Sequence, residues 1–527
     1  MASETKAERI ERIKREKDGL AVIADVYRYA QTKEAIDPED IDRFKWYGLY
    51  TQSKTLQDES DETQYYMLRV KVAGGYLNAK QAAVLGQISV DFARNSADLT
   101  TRQDVQFHWL TIEDLPDVLG HLALVGLSVV GASGDVPRNI VCCPINGIDA
   151  DQIDDVRDIV AALNDLYREN REFSNLPRKF KIGVNGCSKH CISHEVQDLA
   201  FTAVKHADGK VRFSVSVGGG QASNRRIADH IGYIERSEIV PLAESVARIY
   251  RDEGRRDNRS KARLGHLVEA WGVERFVEEL EKDSGITLQR FDHAAFTPYP
   301  RRGHFGVAPS VKKAHNTIGC AVIGGRIGGE KLLKLGRILE LYGAEGITLT
   351  SSQNFVIVNV HSDATEPLID TLKAVGIIPY PSVFEARTLA CTGLDFCKFA
   401  VSETKELAYD VVGYLNAKFP DFDEPVSISI NGCPNSCAHP HIVDLGFTGA
   451  VLKRGDERLK GFDLIVGGHL EGEKSRFSIK TGVKVASEEV APLIESLIRE
   501  YDTTTNLGFG NFLREKYADE STISPAS

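Results

Sequence analysis

The chain has 527 residues, of which 42% are hydrophobic and 26% charged, so it is long enough to bury several cores and sits in the ordinary globular range. A net charge of −11 with no basic block offers no phosphate footprint, which argues against nucleic acid as a partner. No window approaches the ~18 apolar residues of a membrane span, and the charged start from Met1 to Lys17 lacks the apolar core of a secretory signal, so no membrane partner is expected and the expected location is cytoplasmic.

In chain order, residues 1–46 read as an N-terminal helical arm. Residues 67–72 alternate, with Leu68, Val70 and Val72 on one face and Met67, Arg69 and Lys71 on the other, which predicts a strand. Gly74-Gly75 turns the chain, and 78–92 reads as a helix. A strand over 105–111 and a helix over 115–124 complete a small unit, 47–124. A helix is predicted over 151–167 from Ile153, Val156, Val160, Leu163 and Tyr167 at helical spacing. A strand over 179–184 then enters a cysteine motif; these lie in a larger unit, 134–290, with a polar stretch at 254–261. After a link near 291–303, a second small unit spans 300–378. A second large unit spans 388–520, with a helix over 403–418 and a strand over 426–430 leading into another cysteine motif.

The chain is written twice, with a period of roughly 250 residues, too long for a solenoid. Leu99-Thr100-Thr101-Arg102-Gln103-Asp104 returns as Leu349-Thr350-Ser351-Ser352-Gln353-Asn354. Arg138-Asn139-Ile140-Val141-Cys142 returns as Arg387-Thr388-Leu389-Ala390-Cys391, and Asn185-Gly186-Cys187-x3-Cys191-x6-Asp198 as Asn431-Gly432-Cys433-x3-Cys437-x6-Asp444. Val217-Gly218-Gly219-Gly220 returns as Val466-Gly467-Gly468-His469. Four matches in one order predict an internally duplicated α+β fold with pseudo-twofold halves.

Eight of the nine cysteines fall in tight local groups, a poor disulfide framework for so long a chain and a better metal signal. Cys391-x5-Cys397 and Cys433-x3-Cys437 offer four thiolates, and the ~35-residue interval, a helix plus a strand, can bring the pairs together around an iron–sulfur cubane. Asn431-Gly432 and Pro434-Asn435 supply turns around it. A structural zinc site would also use four cysteines, with pairs usually two to four residues apart. Buried free thiols are the third reading.

These motifs resemble those of the sirohaem-dependent sulfite and nitrite reductases. The resemblance rests on Cys-x5-Cys, Asn-Gly-Cys-Pro-Asn-Ser-Cys and Asp-Leu-Gly-Phe-x-Gly. It extends to Arg-Val-Lys-Val-x-Gly-Gly at 69–75, Leu-Thr-Thr-Arg-Gln at 99–103, Leu-Pro-Arg-Lys-Phe-Lys at 176–181 and Gly-Phe-Gly-Asn-Phe at 508–512. It covers nearly the whole chain and implies two ferredoxin-like half-domains and two larger mixed α/β domains around sirohaem and a [4Fe–4S] cluster. The ligands implied are Cys391, Cys397, Cys433 and Cys437, with Cys437 bridging to the sirohaem iron. Arg69, Arg138, Lys179 and Lys181 resemble the substrate-side cations and Arg102 a sirohaem-carboxylate ligand. Gln103, Asn139, Gln353 and Asn354 are expected to line the cofactor.

The first half keeps Cys142, Cys187 and Cys191 but has Ile148 where the fourth ligand would fall, so a vestige and a single cluster are expected. His190, His194, His439 and His441 read as supporting residues. The glycine strings 218–220 and 467–468 lack a nucleotide-binding context and read as close backbone approach to the macrocycle.

No flavin or nicotinamide module is visible, so the electron donor is expected to be another protein, ferredoxin by the resemblance. The reaction implied is the six-electron reduction of sulfite to sulfide or of nitrite to ammonia. Lys181 and the segment His194-Glu195-x-x-Asp198-x-Ala200-Phe201 lean toward sulfite, because a further cation suits the more highly charged anion. An electron-transfer or zinc-binding protein without a tetrapyrrole is the reading from another class.

Overall fold

The computed structural model describes residues 4–518 apart from 188, 223, 292–302, 471–473 and 502–506, so the link expected near 291–303 lies almost wholly outside the described residues. The amino-terminal arm contains helices Lys6–Glu16, Ile23–Thr32 and Pro38–Arg43. The first is capped by a reciprocal Thr5–Glu8 box, which satisfies amides that its first turn would otherwise leave bare.

Two small five-stranded sheets and two helices form the centre. In the first half the strand Tyr66–Val70 buries alternate residues, as its pattern predicts, and pairs with Val105–Leu110. In the second, His315–Cys320 pairs with Phe355–His361. The halves exchange strands. Arg326–Ile327 pairs with Ala97–Leu99 in the first sheet, and Tyr76–Asn78 pairs with Gly346–Leu349 in the second. Each exchanged strand follows a glycine pair. Gly75 and Gly325 both have positive φ, and a Cβ on either would stand 2.7 and 2.6 Å from the carbonyl oxygens of Leu349 and Leu99 in the opposite half.

The exchange is sealed by Gln103 and Gln353. Gln103 Nε2 donates to Leu349 O at 2.7 Å across the halves and to Cys142 O, while its Oε1 accepts from Cys142 N–H. Gln353 repeats the arrangement, donating to Leu99 O and Ala390 O at 3.0 Å and accepting from Ala390 N–H. One apolar core, running from Val22 to Ile377, serves both sheets.

Helix Ala79–Phe92, capped by an Asn78–Gln81 box, packs on its equivalent Gly329–Leu341. The backbones touch where Gly86 and its repeat partner Gly336 face the other helix. A Cβ at Gly86 would stand 2.2 Å from Leu333 N, and one at Gly336 would stand 2.6 Å from Ala83 N.

Outside this centre lie two larger mixed domains. One has strands Ile182–Asn185, Leu199–Lys205, Val211–Val217 and Asp229–Ile234; the other has Thr388–Ala390, Ile428–Asn431, Leu445–Arg454, Glu457–Val466 and Ile479–Ala486. In each, a cysteine motif fills the short connection between two parallel strands. The helix expected over 151–167 begins only at Arg157. The amides of Ile153 and Asp154 instead donate to Gly186 O beside the cysteine motif, and that tertiary pairing overrides the helical spacing. The strands expected over 179–184 and 426–430 start later, at Ile182 and Ile428, which leaves Lys179 and Lys181 on the segment before the strand.

The glycine strings also pack against the chain itself. A Cβ at Gly219 would stand 2.5 Å from the carbonyls of Glu195 and Gln197, and one at Gly468 would stand 2.3 Å from His441 O, so both strings approach protein backbone. No described helix is long and apolar enough to cross a membrane.

Gly86→Ala is expected to lower the thermal unfolding midpoint by several degrees, since a backbone clash has no rotamer escape and overpacking costs about 1–3 kcal/mol. Gly120→Ala, on a helix with nothing within 4 Å of the new Cβ, is expected to leave the midpoint unchanged or raise it, by up to ~1 kcal/mol. Differential scanning calorimetry of both variants checks the pair.

Candidate active site

Two groups of residues, one from each half, meet at the site. The thiols come from the second half. Cys391 follows strand Thr388–Ala390, with its amide on Ile430 O and its Sγ accepting the Gly432 N–H at 3.2 Å. Cys397 closes a turn onto Gly393 O, where a positive φ and the tight approach of Thr404 Oγ1 favour glycine. Cys433 and Cys437 sit on the loop after Asn431, whose Oδ1 accepts the Ala438 N–H at 2.9 Å and holds the loop's curve. Ser436 and His439 turn it through left-handed conformations.

Burial raises the pKa of Cys391 to about 12 and also raises those of Cys397 and Cys433. Such thiols become thiolates only with a compensating metal. No three of the four sulfurs come within 4.8 Å of one another. That is too open for one shared ion.

The cations come from the first half. Arg69 donates through Nε and Nη2 to Gln106 Oε1 at 2.9 and 2.6 Å, and through Nη1 to Ala132 O. Arg138 is 6% exposed, shares the Ala132 carbonyl and donates twice to Gly134 O. Arg102 reaches Gln197 Oε1 at 2.9 Å and the carbonyls of Asn139 and Ile182, with its Nε buried and unbonded. Lys181 is held by its own amide, which donates to Asp198 Oδ2 at 2.8 Å; Asp198 also pairs with Arg263 through both oxygens.

These cations depress one another. Burial, with Arg263, Arg138 and Arg178 adding repulsion, brings Lys179 down to about 7. Burial together with Lys179 and Arg102 takes Lys181 well below its usual range. Arg102 and Arg138 each fall to about 10, burial being the main cause. So much unbalanced positive charge in one crevice suits a ligand with several carboxylates and a small anion beside it. Cys437, exposed at the end of the thiol set, lies within electrostatic reach of Lys179. Thr101 Oγ1 donates to Cys437 O at 3.1 Å across the halves.

The remaining expected residues are placed as follows. The amides of Gln103 and Gln353 are engaged in the cross-half bonds described above. Asn354 Nδ2 donates to Ala386 O and its Oδ1 accepts from Val322 N–H. Asn139 Nδ2 donates to Val72 O and Arg102 O, while its buried Oδ1 has no protein partner. His190 and His194 both face Glu195, at 2.7 and 3.6 Å.

Sequence reasoning missed two residues of the crevice. Lys71, buried and pulled down to about 8 by burial, joins Arg102 and Arg138. Tyr50 lies beside Arg138 and Arg69. Burial favours its neutral phenol, but those guanidinium groups and a hydrogen bond with Ser133 hold its pKa below the usual value. Lys71 stands in the 69–75 motif and was legible there; Tyr50 carries no motif.

Comparison with known proteins agrees with this geometry. The family described as nitrite and sulphite reductase 4Fe-4S domain matches residues 133–288 and 386–508, and the nitrite/sulfite reductase ferredoxin-like half domain matches 57–125 and 310–375. The chain is 37% identical to sulfite reductase [ferredoxin] 1 of Mycolicibacterium paratuberculosis over 89% of this chain and 87% of that one. It is 33% identical to the ferredoxin–nitrite reductase of Synechococcus elongatus over 95% and 97%. The solved structure of the Mycobacterium tuberculosis NirA protein superposes with a TM-score of 0.89 at 33% identity, covering 94% of this chain and 93% of that one. Thiols spaced for a cubane, a crevice of unbalanced cations and these matches agree: the chain belongs to the nitrite and sulfite reductase family, oxidoreductases that work with a [4Fe–4S] cluster and a sirohaem.

Proposed function

We propose that this reductase takes sulfite to sulfide with six electrons from a ferredoxin-type protein. The observation that carries the reading is the hydrogen bond from Thr101, next to Arg102, to the Cys437 carbonyl, which brings the thiol loop of one half to the cation segment of the other. Cys391, Cys397, Cys433 and Cys437 would hold the cluster; Arg102 would take sirohaem carboxylates; the buried acceptor of Asn139 would face a donor of the bound group. When bound, the paired cofactors supply the electrons. The chain's own residues bind and orient the anion and deliver protons.

Arg69 and Arg138 are fixed by carbonyl and amide acceptors and present rigid forks to an oxyanion. Lys179 and Lys181 are movable point charges whose lowered pKa values make them ready proton donors, and each oxygen leaves as water after accepting two protons. Sulfite is favoured over nitrite because the more highly charged anion restores the proton of Lys181, which then adds a further cation beside Lys179. A charge ~4 Å from the anion is worth up to ~4 kcal/mol at an effective dielectric of 20, of which ~1–2 kcal/mol survives desolvation. The ferredoxin donor rests on the names of the relatives.

Lys181→Asn is expected to lower kcat/KM for sulfite about ten-fold or more and to spare or raise it for nitrite. Steady-state rates with a reduced dye as donor measure both; an equal fall for both anions overturns the selecting role, and a wild type that strongly prefers nitrite overturns the sulfite reading. Cys437→Ser is expected to alter the visible spectrum and abolish turnover, whereas an unchanged spectrum and full turnover would remove Cys437 from the centre.

The pH dependence follows from Lys179. As pH rises through its lowered value of about 7, the ammonium loses its proton, and anion capture and proton supply weaken together. Because kcat/KM reports the enzyme before the anion binds, its alkaline limb is expected near pH 7, and the bound anion, which raises that value, moves the limb of kcat higher. Lys179→Arg, which stays charged, is expected to flatten the limb while lowering the maximum rate.

A further inference from the structure

The first half was expected to hold a vestige made of Cys142, Cys187 and Cys191. The structure assembles a different set. Cys142 turns into the apolar core beside Val156 and Val160. Its neighbour Cys143 turns the other way, toward Cys187 and Cys191. His304, from the start of the second half, completes the group: its Nε2 lies 3.1 Å from Cys191 Sγ and 3.7 Å from Cys143 Sγ, and Cys191 Sγ lies 3.4 Å from Cys187 Sγ.

We infer that Cys143, Cys187, Cys191 and His304 form a second metal site that binds one zinc ion, separate from the cluster. Around tetrahedral zinc, bonds of ~2.3 Å to sulfur and ~2.0 Å to nitrogen put neighbouring ligand atoms roughly 3.5–3.8 Å apart. The separations here lie close to that range. The cubane cysteines of the same chain are an internal contrast. No three of them come within 4.8 Å of one another, whereas the ligand atoms of Cys143, Cys191 and His304 all do. The first set would be spread over four irons; in the second, Cys143, Cys191 and His304 are gathered at one point, and Cys187 joins them through Cys191. Three thiolates and an imidazole are a structural-zinc donor set, and the Cys187-x3-Cys191 spacing suits it.

The surroundings belong to a built site. Cys187 Sγ accepts the Lys189 N–H at 3.4 Å, and Asn185 braces the loop through Cys187 O and the Cys187 amide. Such bonds orient and tune metal-bound thiolates. Ile145, Ile148, Val356 and Val358 pack around the sulfurs and keep water away, and Asp149 Oδ2 lies 3.9 Å from Cys187 Sγ. Ser351 Oγ donates to Cys191 O, as its repeat partner Thr101 does to Cys437 O. The backbone of His304 lies directly against Gly319, where a Cβ would collide with His304 O. His304 therefore joins the first half's cysteines from the second half's sheet, and the metal would staple the halves beside the link.

Metal analysis of the purified holoprotein tests the site. The expected result is about one zinc per chain beside about five irons, four from the cubane and one from the haem. Zinc-edge absorption spectroscopy of the wild type is expected to show three sulfurs and one nitrogen. His304→Ala and Cys143→Ser are expected to drop zinc at least five-fold without changing iron content or visible spectrum, while Cys142→Ser keeps its zinc. Zinc below a tenth of an equivalent overturns the inference. So does iron near nine per chain, which would mean a second cubane, or zinc in an all-oxygen and nitrogen shell, which would mean adventitious metal. The wild-type spectrum decides the matter even if a variant fails to fold.

Discussion

The two halves cannot be separated, because each completes the other's central sheet. Tyr76–Asn78 belongs by sequence to one half and by hydrogen bonding to the other, and Arg326–Ile327 reverses the relation. The glycines at 75, 86, 325 and 336 allow the backbones to touch, and Gln103 and Gln353 spend their amides on carbonyls across the junction. Loss of either glutamine would orphan several buried backbone groups, each worth about 1–3 kcal/mol. Everything catalytic follows from this interlock. A cysteine loop of one half and a cation segment of the other meet only because the junction holds them at fixed distance, and Thr101 bonded to Cys437 is the contact where that shows.

The crevice pays for its function in stability. Lys71, Lys179, Lys181, Arg102 and Arg138 lower one another's proton affinity, and the carboxylates of Asp104 and Asp198 are too few to balance them. Burial even lifts Asp104 to about 6 despite the cations around it, which weakens its help near neutral pH. A bound polyanion relieves this repulsion, so binding the cofactor and completing the fold are coupled. The protein keeps its cations crowded rather than paired because a paired cation would have no charge left to offer an oxyanion.

Much of this was legible in the sequence, and the parts that were not share a cause. The repeat, the paired cysteine motifs and the strand alternation at 67–72 are local or periodic signals, and periodicity survives without tertiary information. The exchanged strands, three and two residues long, are too short for any period. The helix at 157 starts late because Gly186, distant in sequence, captures two amides. Gln103 and Gln353 stand in the motifs, but their bonds across the halves carry no local signal. The repeat alignment sets Cys142 against Cys391, but Gln103 bonds the backbone of Cys142 as Gln353 bonds that of Ala390, so the alignment is one residue out of register and Cys143 is the equivalent of Cys391.

The duplicated site has drifted in complementary ways. Where the first half has Arg102 and Lys181, the second has Ser352 and Ser427, and the Ser427 amide still donates to Asp444 as the Lys181 amide does to Asp198. The backbone frame was kept while the charge was dropped. Where the second half has Cys397, the first has Asp149, one position beyond the Ile148 expected from the sequence, because Ile153 bonds Gly186 O as Val401 bonds Gly432 O. One crevice thus keeps the cations of half one with the thiols of half two. The opposite pairing, thiols of half one with a segment of half two, has too few cations left for a polyanionic cofactor and too tight a group of sulfurs for a cubane. Close-packed sulfurs in an apolar shell repel once ionised, and a divalent ion shared among them removes that repulsion. The geometry that makes the second site unfit for redox chemistry is the geometry that suits it to hold the interlocked halves together.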